Sequence, residues 1–214
     1  MCGRYAFIPK SDFYDRFEIN DREVKTGTSY NITPGATVPV ITMNSPKQLV
    51  LMRWGLIPGW AKDSKIAYST INARAEEIEK KPAFRSAFKY RRCLIPASGF
   101  YEWKRVSDEG KPVKIPYWIK LKRANVFGFA GIYENNTFSI VTTTTNEMMK
   151  QIHDRMPVIL HKDAEEIWLD NSRYDLRELK QLMVPYPAEE MESVRVSPRV
   201  NNPRENDEGL IKPV

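Results

Sequence analysis

Fifteen prolines are spread along this chain of 214 residues, and they set the first limit on its fold. Each fixes φ near −65° and removes a backbone donor, so long helices are interrupted. Strands, turns, loops and short helices are what such a chain can build.

The runs between the prolines follow that limit. Residues 37–43 (TVPVITM) and 48–58 (QLVLMRWGLIP) read as strands, the second ending in a proline turn. Residues 91–105 (RRCLIPASGFYEWKR) read as two extended pieces, followed by a turn in SDEGKP and a partner strand in IPYWIKL. NVFGFAGIY and TFSIVTTTT form a hairpin with Asn135 and Asn136 at its tip, and ESVRVS adds a further strand. Helices are shorter. Capping boxes run from Thr144 to Glu147 and from Asp163 to Glu166, DLRELKQLM forms a third helix, and PAFRSAF a fourth with Pro82 in its first turn. Strands outnumber helices without a βαβ rhythm. The expectation is an α+β fold: a mainly antiparallel, curved or barrel-like sheet with short flanking helices, in one domain over residues 1–214. The polar tail from about residue 199 is expected to be loosely ordered.

Composition narrows the class. Hydrophobic residues make up 42% and charged residues 28%, as in soluble globular chains, and no apolar run approaches a membrane span. Arg4 and Lys10 lie in an N-terminus without a continuous apolar stretch, so no signal peptide is expected. Two cysteines allow at most one disulfide, and a reducing cytoplasm fits. Lysine and arginine exceed acidic residues by 33 to 27, a balance that permits nucleic-acid binding without requiring it.

Within MCGRYAF, Cys2 directly follows the initiator methionine. Removal of Met1 would place an α-amine and a thiol on one residue, two nucleophiles titrating near neutrality. A 1,2-aminothiol condenses with an aldehyde to an imine, and its sulfur then closes a thiazolidine. Taken alone, an incidental terminal cysteine is the commoner reading. In GFYEW, strand alternation puts Glu102 on the face of Phe100, with Tyr101 and Trp103 on the other. A desolvated carboxylate there suits proton transfer, whereas an edge glutamate would face water. Only two histidines exist: His153 ends a capped helix, where it serves as proton carrier or helix cap, and His161 reads as surface.

Asn72 and Arg74 in STINARAEE suit a polar substrate and a phosphate, or ordinary loop capping. Trp54, Trp60 and Tyr68 alternate with Arg53, Lys62 and Lys65, a mixture that suits stacked bases and phosphates. Trp54 reads as core and Trp60 as surface; Cys93 reads as a buried thiol. No Cys/His set has metal-ligand spacing, no Gly-rich phosphate loop occurs and there is no G-x-S-x-G elbow, so neither a metal nor a cofactor is expected.

Together the segments MCGRY, YNITP, RWGLIPGWAKD, INARAE, PAFRSAFKYRRCLIPASGFYEWK, FAGIYE and IHDRMPVIL, in this order, resemble the SRAP family, named for SOS-response-associated peptidase domains. The resemblance runs from Cys2 to about Leu160. Gly35–Ala36, Glu77 and Tyr133 depart from the family pattern outside the reaction centre. The resemblance implies a protein that processes abasic sites in single-stranded DNA by a covalent cross-link, acting as a monomer without a cofactor. It implies Cys2 as nucleophile, Asn72 orienting the sugar remnant, and Glu102 and His153 as proton-transfer groups. Arg4, Arg74 and Arg155 would contact phosphates, with Trp60, Tyr68, Trp103 and Asn31 as further DNA contacts. Two other readings stand beside it: an N-terminal-nucleophile cysteine peptidase that processes itself, and a non-catalytic single-strand DNA-binding module.

Overall fold

Strands that alternate apolar residues must find partners, and in the computed structural model, which describes residues 2–108 and 110–214, thirteen of them do. They are β1 (Tyr5–Phe7), β2 (Ser29–Ile32), β3 (Thr37–Thr42), β4 (Ser45–Trp54), β5 (Asn72–Arg74), β6 (Arg92–Ala97) and β7 (Gly99–Asp108). Then follow β8 (Lys111–Leu121), β9 (Phe127–Glu134), β10 (Thr137–Thr143), β11 (Met156–Pro157), β12 (Ile159–Leu160) and β13 (Met191–Arg195). Five short helices flank them: α1 (Phe13–Arg16), α2 (Arg85–Tyr90), α3 (Glu147–Lys150), α4 (Lys162–Leu169) and α5 (Leu176–Gln181). Among the described residues no helix is long and apolar enough to cross a membrane.

The strands form two sheets. One is antiparallel throughout, in the order β13-β8-β7-β1-β2. In the other, β10-β4-β3-β6-β9 returns to β10, so five strands close a ring, which removes the open edges of those strands. Strands β5, β11 and β12 attach to this ring. The barrel-like α+β expectation therefore holds, with one refinement: β4 and β5 run parallel to β10.

The core lies where the two sheets face each other. Tyr5 of β1 meets Trp54 of β4 edge-on at 5.3 Å between ring centroids and Phe129 of β9 at 5.9 Å. Phe100 of β7 packs on the same Phe129, and Trp54 stacks on Phe138 of β10. Buried indole nitrogens need an acceptor, and Nε1 of Trp54 donates to the Ile71 carbonyl at 2.9 Å. Gly99 has a steric cause: a Cβ there would sit 2.4 Å from the Trp118 ring and 2.5 Å from the Ile119 carbonyl.

Local details depart from the sequence reading. Neither capping box forms: Asn146 caps α3 by accepting from the Met149 amide, and His161 precedes α4 without a side-chain cap. The short polar side chain nearest the first turn wins over the more distant threonine. Helix α2 begins at Arg85, beyond Pro82, and α1 was not anticipated. Asn135 and Asn136 both take positive φ, as a two-residue hairpin tip requires. The SDEGKP turn includes Glu109, which lies outside the described residues; on either side of it Asp108 pairs with Lys111.

The polar tail is the main correction. Residues 198–211 carry two short 3-10 turns, Pro198–Asn201 and Glu208–Ile211, and pack on the outer face of the antiparallel sheet. Val196, Val200 and Leu210 are completely buried against Ala6, Tyr101 and Trp118. A few apolar anchors suffice to order a segment whose remaining residues are hydrophilic.

Candidate active site

Strand register brings the chain's beginning to its middle. In the antiparallel β1–β7 pair Tyr5 stands opposite Phe100, and the Tyr101 amide donates to the Arg4 carbonyl at 2.9 Å. Continuing that ladder outward carries Gly3 and Cys2 along β7 toward Glu102 and Trp103. Cys2 is fully buried. Burial, with the nearby Glu102 carboxylate adding to it, pushes its thiol well above the ordinary cysteine range and holds the sulfur protonated.

Glu102 shares the inward face of β7 with Phe100 and is only 2% exposed. Desolvation raises its pKa from 4.5 to about 7, with Asp154 pushing the same way and the Trp103 backbone amide opposing it. A carboxyl poised there both gives and takes protons at neutral pH. His153 follows α3 in a tight turn, its amide bonded to the Met149 carbonyl at 2.9 Å. Its Nε2 lies 3.9 Å from Oε2 of Glu102. Its Nδ1 accepts the Arg155 amide proton at 3.0 Å, which assigns the single ring proton of the neutral form to Nε2, on the Glu102 side. Oδ1 of Asp154 also lies 2.9 Å from Nδ1, but that carboxylate is 85% exposed and water-solvated, so it engages the nitrogen only once the ring gains a second proton. Burial lowers the His153 pKa, against the pull of Asp154.

Arg4, Glu102, Trp103, Arg105, Lys114, His153 and Asn201 line one cleft of about 400 Å³. Its chemistry is cationic around a single buried carboxyl. Arg105 and Lys114, paired across the β7–β8 ladder, supply two of its cations. The Arg4 guanidinium lies 5.9 Å from the centroid of the Trp103 ring. Its Nη1 donates to Oδ1 of Asn31 at 2.7 Å and to the Val200 carbonyl at 2.6 Å.

Of the sequence candidates, the cleft therefore gathers Arg4, Glu102, Trp103 and His153, with Cys2 near Glu102. Asn31 supports from behind: it is buried, and its Nδ2 donates to the carbonyls of Asn202 (3.0 Å) and Glu205 (2.8 Å). Asn72 is buried on β5, opposite Ile140 of β10, and its Oδ1 has no hydrogen-bond partner. An unsatisfied buried amide oxygen is costly unless a ligand completes it. Arg74, exposed on the same strand, lies outside the cleft wall. Arg155 is buried and committed: it forks onto the Glu76 carboxylate at 2.8 and 2.9 Å and donates to the Thr142 carbonyl at 2.7 Å. Trp60 is 61% and Tyr68 76% exposed, away from the cleft wall, whereas Trp54 is core and Cys93 buried, as the pattern predicts.

Sequence reasoning missed Arg105, Lys114 and Asn201. Arg105 and Lys114 are opposite each other in the β7–β8 ladder, a pairing that follows only once the register of the hairpin is known. Asn201 reaches the cleft only through the tail's tertiary packing, for which no local signal exists.

Known proteins match this chain over nearly its whole length. The family description SOS response associated peptidase (SRAP) matches residues 1–203. The abasic site processing protein YoqW of Bacillus subtilis is 44% identical over 225 residues, covering 99% of this chain and of that protein. YoaM of the same bacterium, also an abasic site processing protein, is 45% identical, over 99% of this chain and 97% of its own. A crystal structure of a protein from Bacteroides thetaiotaomicron superposes over the whole of both chains with a TM-score of 0.87 and 29% identity. The family match over residues 1–203, with relatives 44–45% identical over nearly the whole chain, leads to one conclusion: the chain belongs to the SOS response associated peptidase (SRAP) family.

Proposed function

We propose that this protein, once Met1 is removed, traps abasic sites in single-stranded DNA as a covalent thiazolidine on Cys2. The observation that carries the reading is the placement of a buried carboxyl, Glu102, 3.9 Å from the His153 imidazole in a cationic cleft reached by the start of the chain. The relatives' description as abasic site processing proteins supports it.

The chemistry follows from the groups present. An abasic deoxyribose reacts only as the open aldehyde. His153, carrying its proton on Nε2, donates toward the ring oxygen as the hemiacetal opens. The Cys2 α-amine attacks the aldehyde carbon; Glu102 supplies the proton with which the former carbonyl oxygen leaves as water, giving an imine. The thiol then adds to the imine carbon and its proton passes to the nitrogen, closing the thiazolidine. One C–N and one C–S bond form and one water departs. A thiol held protonated by burial suits a sequence in which the amine attacks first and sulfur second.

Around this centre we assign Asn72, through its unsatisfied Oδ1, to the sugar remnant, and Arg4, Arg105 and Lys114 to phosphates beside it. Arg74 and the exposed Trp60 and Tyr68 serve the flanking strand, and Trp103 stacks within the cleft. Arg155 acts as a brace that fixes the turn carrying His153.

The test combines a denaturing gel with intact mass measurement. Processed protein mixed with an oligonucleotide carrying one abasic site gives a heat-stable adduct; an undamaged strand and Met1-retaining protein do not. A Cys2→Ser variant that forms the adduct as stably as wild type overturns the mechanism.

A further inference from the structure

The C-terminal segment 199–207 holds two cleft residues, Arg4 and Trp103, and Asn31 behind them by separate hydrogen bonds. Arg4 donates to the Val200 carbonyl at 2.6 Å, Asn31 to the Asn202 and Glu205 carbonyls, and Nε1 of Trp103 to Oδ1 of Asn201 at 2.7 Å. Arg199 ties the segment to itself through Glu205 and Asp207. Val200 near its start and Leu210 just beyond its end pin it into the apolar cluster with Tyr101 and Trp118. The segment is therefore a preformed wall rather than a trailing tail.

Within that wall Asn201 has a particular place. Trp103 is half-buried, with one face toward the Arg4 guanidinium 5.9 Å away and its edge fixed by Asn201. An indole can present a flat face to a base or sugar only if rotation about its side-chain bonds is arrested. Among the described residues, Oδ1 of Asn201 is the acceptor that holds the Trp103 nitrogen. Asn201 itself lines the cleft.

We infer that Asn201 is a positioning residue for the cross-linking site: it sets the orientation of Trp103 and so the geometry in which the abasic nucleotide is presented to Cys2. The inference rests on the reading of the cleft given under Proposed function. Asn201 touches no reacting atom; its effect passes through the indole.

The experiment measures adduct formation on a single-stranded abasic oligonucleotide at saturating DNA, for wild type, Asn201→Leu, Asn201→Asp, Trp103→Phe and Asn201→Leu/Trp103→Phe. Asn201→Leu is expected to slow the reaction about fivefold, the rate equivalent of one neutral hydrogen bond. Asn201→Asp keeps the acceptor oxygen and is expected to recover to within about twofold of wild type. In the Trp103→Phe background, which lacks the donor, Asn201→Leu causes no further loss. If Trp103→Phe alone is too slow for a further loss to be read, Trp103 emission decides, taken as the difference spectrum between each protein and its Trp103→Phe counterpart: a red shift in Asn201→Leu supports the inference and an unchanged spectrum overturns it. It is also overturned if Asn201→Leu reacts like wild type, or if the loss is as large with Phe at position 103 as with Trp. A wild-type protein that forms no adduct sinks the underlying reading instead, before any variant is compared.

Discussion

His153 and Glu102 approach to 3.9 Å although one sits in the turn after α3 and the other inside β7. The separation suits a proton shared through the substrate, not a permanent ion pair. His153→Gln keeps a donor of similar shape but cannot cycle a proton. Adduct formation is expected to fall about a hundredfold, the lower range for loss of a general acid or base. Quenched time courses on abasic oligonucleotide, with affinity for an intact strand as the control, measure this. An unchanged rate would remove His153 from the mechanism.

The state of Glu102 sets the pH dependence. With a pKa of about 7, its carboxyl changes form across the neutral range, so the wild-type rate should inflect there. Glu102→Gln should be slower and lose that inflection. A profile with the same inflection in both proteins would assign it to another group.

Folding stability supplies a separate test of the same burial. Between pH 4.5 and about 7 the folded chain keeps a Glu102 proton that the unfolded chain has released. Glu102 therefore favours folding fully at acid pH, and that contribution is lost as the pH rises to about 7. Urea titrations of Glu102→Gln against wild type should show the variant gaining relative stability with rising pH, by at most about 3 kcal/mol. A difference independent of pH would mean that the carboxyl is not desolvated.

Arg155 separates bracing from DNA contact. Arg155→Lys breaks the two-pronged pairing with Glu76 and the bond to the Thr142 carbonyl. A stability loss of about 1–3 kcal/mol is expected. The salt dependence of single-strand binding should stay as in wild type, whereas loss of a phosphate contact would reduce its slope by roughly one.

Two tryptophans offer the opposite pairing. Trp60 is 61% exposed and Trp54 only 1%. Trp60→Ala should weaken single-strand binding by about 1–3 kcal/mol with little change in folding. Trp54→Ala should cost about 3–5 kcal/mol of stability, since it opens a cavity between the sheets. Equal effects of the two on folding would contradict the packing described.

Much of this was legible in the sequence because it is local. Alternation in GFYEW separates Glu102 and Phe100 from Tyr101 and Trp103, and the structure keeps that division between its two apolar clusters. Trp54 and Cys93 lie in apolar strand runs and are buried. What escaped depends on partners far away in the chain. Asn31 bonds the carbonyls of Asn202 and Glu205, and the buried side chains of Val200 and Leu210 order a largely polar tail. Arg155 sits in a motif that suggests a DNA contact, yet its carboxylate partner, Glu76, comes from a distant stretch that no spacing rule connects to it. The caps shifted for a simpler reason: at α3 Asn146 takes the cap in place of Thr144, and α4 starts one residue before Asp163, which leaves that side chain inside the helix.

The position of β1 has a mechanical consequence. It is an inner strand, hydrogen-bonded to β2 on one side and β7 on the other, and it begins three residues after Cys2. A DNA strand anchored on Cys2 would transmit any pull almost directly into an inner strand of a five-stranded sheet, where the load is shared by ladders on both sides. A polymerase or helicase tugging on such a strand would strain a well-anchored seam of the molecule before it met any loose end.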